Sequence, residues 1–285
     1  MSKKKKPWKK ILYEDQGYPD YYTDQTFLWE LKRNTKLKAI SLHEAILEVS
    51  VVVQELCAVI IFALIYVLLH EQRIDPAVTF YTISALSLVC FLVYRKFLSS
   101  DMTNALGNDI RTLLIFLVFG QLFSPVLHTL TDTISTNTIY MMTFFMMLVH
   151  LIFFDYGVPA AIVSNSLSLS AAVFASICLA SRLASAYHAF VLITIAIEIF
   201  VLFPLLRKKF GRSIVMCSIL ILVTIGLLQV ISPLMNVCFV MSVIFINFIC
   251  PFLFVKNQSF KDNIYGPWDE AVVHDVDSVY DLIYS

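Results

Sequence analysis

Apolar residues occupy this chain in long unbroken blocks rather than at the period of a surface helix or a half-buried strand. A bilayer core about 30 Å thick is crossed by roughly 20 apolar helical residues, with about 17 as a practical minimum. Eight stretches reach or approach that length: Val49–Leu69, Ala77–Tyr94, Ile110–Leu127, Ile139–Phe154, Ala160–Ala180, Tyr187–Leu206, Ser213–Ile231 and Leu234–Val255. The pattern predicts an all-α polytopic transmembrane bundle over 45–255, preceded by a cytosolic segment 1–44 and followed by an acidic cytosolic tail 256–285. The fourth stretch is short. The last two nearly touch at Ser232-Pro233, where a re-entrant or tightly hairpinned pair is also open.

An even number of spans places both termini on one side, and the basic residues say which. Under the eight-span reading, all of the 21 Lys and Arg residues except Arg73 and Arg182 fall on the side that holds the termini. Cytosolic loops carry the excess of Lys and Arg, so that side is cytosolic. A seven-span arrangement would scatter the same charges across both sides.

Composition agrees. The chain is 59% hydrophobic and 15% charged, with a mean hydropathy of +0.78, against about 25% charged in ordinary globular domains. Formal net charge is zero, which argues against a nucleic-acid partner needing a basic surface. The start, MSKKKKPWKK, lacks the short apolar core of a cleaved signal peptide, so none is expected. Its lysines attract anionic lipid at about 1 kcal/mol each, although setting the topology alone also explains them. All six cysteines lie inside apolar runs and read as packing residues.

Ionisable groups within spans need a partner or a polar pocket. Glu55, His150 and Glu198 are the notable ones. Glu44, Glu48 and Glu55 share one helical stripe. On the eight-span topology, Glu55, His150 and the following Asp155-Tyr156-Gly157 lie near the cytosolic leaflet, with Glu198 closer to the midplane. Glu55, His150 and Asp155 are therefore candidates for receiving a lipid headgroup, the alternative being ordinary interhelical hydrogen bonding. The fifth stretch places a small residue at every fourth position (Ala160, Ser164, Ser168, Ala172, Ser176, Ala180), a stripe suited to close helix packing within the chain or against a partner. Asn165 beside it can add a hydrogen bond.

Asp275-Val276-Asp277 matches the Asp-x-Asp pattern of metal-dependent glycosyltransferases, but no strand-loop-helix pattern surrounds it and it reads as solvated tail. No P-loop, dinucleotide fingerprint, zinc-protease motif or nucleophile elbow occurs, so neither a catalytic residue nor a metal or cofactor site is expected.

Several stretches in order resemble the PIG-C family. They are Trp8-Lys9-Lys10-Ile11-Leu12-Tyr13-Glu14 with Tyr18-Pro19-Asp20, Phe27-Leu28-x-Glu30-Leu31, Ser124-Pro125-Val126-Leu127 and Ser135-Thr136-x-Thr138-Ile139-Tyr140. Further along come His150 to Gly157, Leu167-Ser168-Leu169, Cys178 to Leu183, His188-Ala189-Phe190 and Asn263-Ile264-x-Gly266-Pro267-Trp268-Asp269-Glu270-Ala271. The chain departs at Tyr21 and Thr23, where the family usually has Asn and Val. The resemblance implies a multi-pass endoplasmic-reticulum protein in the complex that transfers N-acetylglucosamine (GlcNAc) from UDP-GlcNAc to phosphatidylinositol, the first step of glycosylphosphatidylinositol (GPI) anchor synthesis. It also implies that the transfer chemistry belongs to a partner, PIG-A, with PIG-H, PIG-P, PIG-Q and PIG-Y as further subunits. Tyr18, Pro19, Asp20, Gly266, Pro267, Trp268 and Asp269 are the expected docking segments, and phosphatidylinositol the expected lipid.

Two rival classes make distinct predictions. A lipid transporter or scramblase predicts repeat symmetry between halves, which this sequence lacks. A self-sufficient intramembrane transferase predicts activity from the isolated chain, with His150 and Asp155 or Glu55 as acid and base.

Overall fold

The computed structural model describes residues 17–19, 22, 32–33, 39–98, 104–131, 133–157, 163–210, 213–260 and 264–265. The chain divides into two compact units, Ser41–Leu253 and a smaller one joining Met1–Ile40 to Phe254–Ser285.

Among its described residues, the regular elements of the larger unit are all helices. Its elements are α1 (Leu42–His70), α2 (Pro76–Leu98), α3 (Asn104–Thr129), α4 (Thr136–Phe153), α5 (Asn165–Ala180) and α6 (Ala186–Ile197). A π-turn, Glu198–Leu202, carries α6 directly into α7 (Phe203–Phe210). Then come α8 (Ile214–Ile231) and α9 (Pro233–Ile244), which a second π-turn, Phe245–Ile249, joins to α10 (Cys250–Asn257).

Serine begins five of these helices for one physical reason. Ser41, Ser135, Ser164, Ser185 and Ser213 each hold extended backbone and turn the hydroxyl onto the N–H three residues ahead. Each such cap satisfies an otherwise orphaned donor and contributes about 1 kcal/mol. At α1 the cap is reciprocal, since Glu44 bonds back to the Ser41 N–H at 3.0 Å.

Among the described residues, five helical rods are long and apolar enough to cross a membrane: Leu42–His70, Thr136–Phe153, Ala186–Lys208, Ile214–Ile231 and Pro233–Asn257. Three shorter apolar stretches, Pro76–Leu92, Leu117–Leu127 and Asn165–Ala180, accompany them. The expected fifth span, Ala160–Ala180, is corrected in its first turn. Ser164 has φ −141° and ψ 99° and caps the helix instead of continuing it, so α5 has 16 residues, a length of about 24 Å. The seventh and eighth stretches form a tight helix pair separated by Ser232 alone, with the Asn236 amide donating to Gln229 Oε1 at 2.8 Å across the turn.

Helix α1 runs between two apolar clusters. One gathers Phe62, Leu69, Met147, Ala172, Ala175, Leu192 and Phe200 from α1, α4, α5, α6 and the first π-turn. The other joins Val53, Cys57 and Leu64 of α1 to Cys217 and Leu228 of α8 and Phe239 and Val243 of α9. Helix α3 packs on α6, and Gly120 makes the approach possible: a Cβ there would lie 3.2 Å from the Phe190 ring.

In the smaller unit, β1 (Lys32–Arg33) pairs antiparallel with β2 (Ile264–Tyr265), opposing Lys32 to Tyr265 and Arg33 to Ile264. The Gln258 amide grips Ile40 from both sides, accepting from its N–H at 3.1 Å and donating to its carbonyl at 3.3 Å.

Candidate functional site

A charged network sits in the interior of the larger unit. Glu55 on α1 is completely enclosed, and His150 on α4 and Arg207 on α7 are 1% and 4% exposed. Glu55 Oε1 lies 3.0 Å from His150 Nε2, and Glu55 Oε2 accepts from Arg207 Nη1 at 2.9 Å. On its other side, His150 Nδ1 is 3.0 Å from the Ser168 carbonyl of α5 and 2.9 Å from the Ser168 hydroxyl, which donates to the His150 carbonyl at 3.1 Å. Four helices thus meet in one chain of polar contacts.

Nδ1 of His150 faces the Ser168 carbonyl, which only accepts, and the Ser168 hydroxyl, which both donates and accepts, while Nε2 faces the Glu55 carboxylate. Charge taken out of water is costly unless opposed, and Glu55 and Arg207 oppose one another directly.

Aromatic rings wall the network. Phe200 meets His150 at 5.0 Å and Phe62 at 5.2 Å between ring centroids, and Phe154 meets His150 at 5.4 Å. The Arg207 guanidinium lies over Phe154 at 4.8 Å and over Phe203 at 5.9 Å, within cation–π range. Phe200 belongs to the π-turn. The extra residue of such a turn advances the helix face by about 100°, and this sets the register in which Arg207 on α7 meets Glu55.

The segment after α4 forms the outer side. Asp155 accepts from Lys208 Nζ at 2.9 Å and from the Gly157 N–H at 2.9 Å. The Lys208 ammonium, helped by that N–H, holds the Asp155 carboxyl below the usual carboxylate range. Gly157 has φ +83°, a conformation glycine adopts without Cβ strain. The Tyr156 hydroxyl donates to the Leu151 carbonyl at 2.6 Å, and burial, reinforced by the Glu55 carboxylate, pushes its phenol above the ordinary value.

Glu55, His150 and Asp155 are thus brought to one region, the first two with every functional atom engaged inside the protein. Glu198 stands apart in the π-turn, where its Oε2 is enclosed without a hydrogen-bond partner among the described residues. Of the small-residue stripe, Ser168, Ala172, Ser176 and Ala180 are buried in α5, which packs chiefly against α4 and also against α6. Ser164 is the cap, and Ala160 lies outside the described residues. Tyr18 and Pro19 belong to the smaller unit, where the Tyr18 and Tyr22 rings sit 4.3 Å apart. Asp20, Gly266, Pro267, Trp268, Asp269 and the Asp275-Val276-Asp277 triplet also lie outside the described residues.

Arg207, Lys208 and Ser168 were not among the expected headgroup residues. Arg207 and Lys208 read as topology-setting charges and Ser168 as packing. A usable signal was present: a buried carboxylate at Glu55 requires a cation, and Arg207 and Lys208 lie at the end of the sixth apolar stretch, on the same expected leaflet.

The chain matches the family model described as phosphatidylinositol N-acetylglucosaminyltransferase over residues 8–269. Relatives in Bos taurus and Homo sapiens, each named as the C subunit of phosphatidylinositol N-acetylglucosaminyltransferase, are 43% and 42% identical to it over 275 residues, 93% of each chain. A Schizosaccharomyces pombe relative, named as the GPI2 subunit of the same enzyme, is 32% identical over 283 residues, 94% of this chain and 87% of the relative. No solved structure matches the chain at a significant level.

Proposed function

The chain belongs to the PIG-C family of phosphatidylinositol N-acetylglucosaminyltransferase subunits, and from that membership we propose that it is the non-catalytic membrane subunit of the complex transferring GlcNAc from UDP-GlcNAc to phosphatidylinositol at the start of GPI-anchor synthesis. It assembles the complex in the endoplasmic-reticulum membrane and offers the lipid acceptor a place at the cytosolic leaflet. The companions are the subunits PIG-A, PIG-H, PIG-P, PIG-Q and PIG-Y, with the sugar-transfer chemistry on PIG-A.

The observation that carries the non-catalytic reading is the closure of the Glu55–His150–Arg207 network. A general acid or base must come within hydrogen-bond reach of substrate, whereas both Glu55 oxygens and both His150 ring nitrogens are already bound to protein partners and enclosed. The network is suited to fastening α1, α4, α5 and α7 together. Five apolar rods are long enough to cross a membrane and three shorter apolar stretches accompany them; we read the eight together as the crossings, and the distribution of Lys and Arg favours cytosolic ends.

The tail segment Gly266-Pro267-Trp268-Asp269 follows the last apolar rod closely enough to lie near the membrane surface, where a catalytic partner docks. Substituting Trp268→Ala should weaken co-purification of PIG-A while the chain itself stays monodisperse in detergent. An unchanged complex would count against docking there.

A further inference from the structure

Resting on the reading above, in which the chain works as one subunit among several in a membrane, we propose that Glu198 anchors one transmembrane helix of a companion subunit. That helix brings a guanidinium, an ammonium or a side-chain amide to the Glu198 carboxyl. Glu198 lies at the middle of the 23-residue rod Ala186–Lys208, about 18 Å along it from Ala186. Among the described residues it has neither a hydrogen bond nor an ion pair, and its Oε2 is enclosed without a donor. The helices around it do not supply one. Helix α5, which packs against this π-turn, carries no Asp, Glu, Lys, Arg or His. The Thr194 hydroxyl, one turn earlier, donates to the Phe190 carbonyl at 2.9 Å. Arg207 and Lys208, further along the rod, are engaged by Glu55 and Asp155.

The surface around Glu198 indicates where a partner meets it. On the side of the rod that carries Glu198, Val191, Thr194 and Ile195 are buried, Glu198 itself is half-buried, and Leu202 and Leu205 beyond it are exposed. Glu198 thus stands where this stripe emerges from the bundle. A carboxyl within a span is costly without a partner, whether ionised or protonated. Depth identifies that partner. Lipid headgroups lie above the middle of the bilayer and acyl chains carry no donor, while backbone crossing hydrocarbon is helical. A donor at this level therefore belongs to a transmembrane helix, seated against Leu202 and Leu205.

The test uses the full chain co-expressed with its companions, with photoreactive benzoylphenylalanine introduced at Leu205 and the crosslinked peptide located by mass spectrometry. The crosslink is expected in one apolar span of a companion, within a helical turn of an Arg, Lys, Asn or Gln. Adding Glu198→Leu should lower the crosslinked fraction about three- to twentyfold, the scale of a polar contact between helices in a membrane. The thermal midpoint of the isolated Glu198→Leu chain should not fall, since no contact within the chain is lost. A crosslinked fraction unchanged by Glu198→Leu overturns the proposal, as does crosslinking only to lipid, to a second copy of this chain, or to a span without a donor. A lowered midpoint of the isolated variant would make Glu198 a structural residue of the bundle and overturns it too. Absence of every companion from the unmodified preparation is seen before any crosslinking. It would sink the subunit reading, and this proposal with it, in a way that cannot be mistaken for failure at Glu198.

Discussion

Arg207 and Glu55 stand 152 positions apart in sequence, and their side chains meet at 2.9 Å with both almost wholly enclosed. The pair closes the bundle across α1 and α7. Its energetics are asymmetric, because removing one partner of a buried pair leaves the other charge uncompensated, at a cost of about 3–5 kcal/mol.

Glu55→Ala should therefore lower the thermal midpoint of the detergent-solubilised chain strongly, and Glu55→Gln, which keeps shape and one acceptor, less so. The double variant Glu55→Gln/Arg207→Met should be more stable than the sum of the single losses. Strict additivity in that cycle would show that the two side chains are not coupled.

Ser168 combines a hydrogen-bonding role with a steric one at the α4–α5 contact. Ser168→Ala removes contacts to His150 and should cost about 1 kcal/mol. Ser168→Leu adds bulk where the residue is 2% exposed and should cost about 1–3 kcal/mol through overpacking. The ordering Ala milder than Leu, followed by thermal unfolding, separates packing from polarity.

Gly120 governs a second close approach. Its missing Cβ leaves room for the Phe190 ring, so Gly120→Val should loosen α3 from α6 and expose that interface to proteolysis. A companion change, Phe190→Leu, should recover part of the loss. Proteolysis unchanged by Gly120→Val would remove the steric account.

The Asp155–Lys208 pair has a defined pH dependence. The folded carboxyl titrates below its ordinary value, so the pair's stabilisation is fully present above about pH 4, the unfolded carboxyl value, and is lost as pH falls through the lower folded value. With Lys208 half exposed, the amount is at most about 1 kcal/mol. Thermal midpoints of the unmodified chain should converge on those of Asp155→Asn as pH drops below about 4, and differ by a constant small amount from about pH 5.5 to 7.5.

Much of the architecture is legible in the sequence because blocks of apolar residues need only be counted against the thickness of a bilayer. The same counting brings Glu55, His150 and Asp155 to a common level. Less legible are features set by tertiary contact. Ser164 continues the small-residue spacing of α5, and nothing local distinguishes a cap from a packing position there until the backbone leaves the helix. Arg207 has the sequence context of a topology charge, and its pairing with Glu55 depends on the register set by the Glu198–Leu202 π-turn, which has no residue signature of its own.

The most direct measurement is GlcNAc transfer from UDP-GlcNAc to phosphatidylinositol, assayed with the purified chain alone and with the subunits that co-purify with it. The account predicts transfer in the assembly and none from the chain alone. Transfer by the isolated chain, abolished by His150→Gln or Asp155→Asn, would contradict it and make the buried network the catalytic centre.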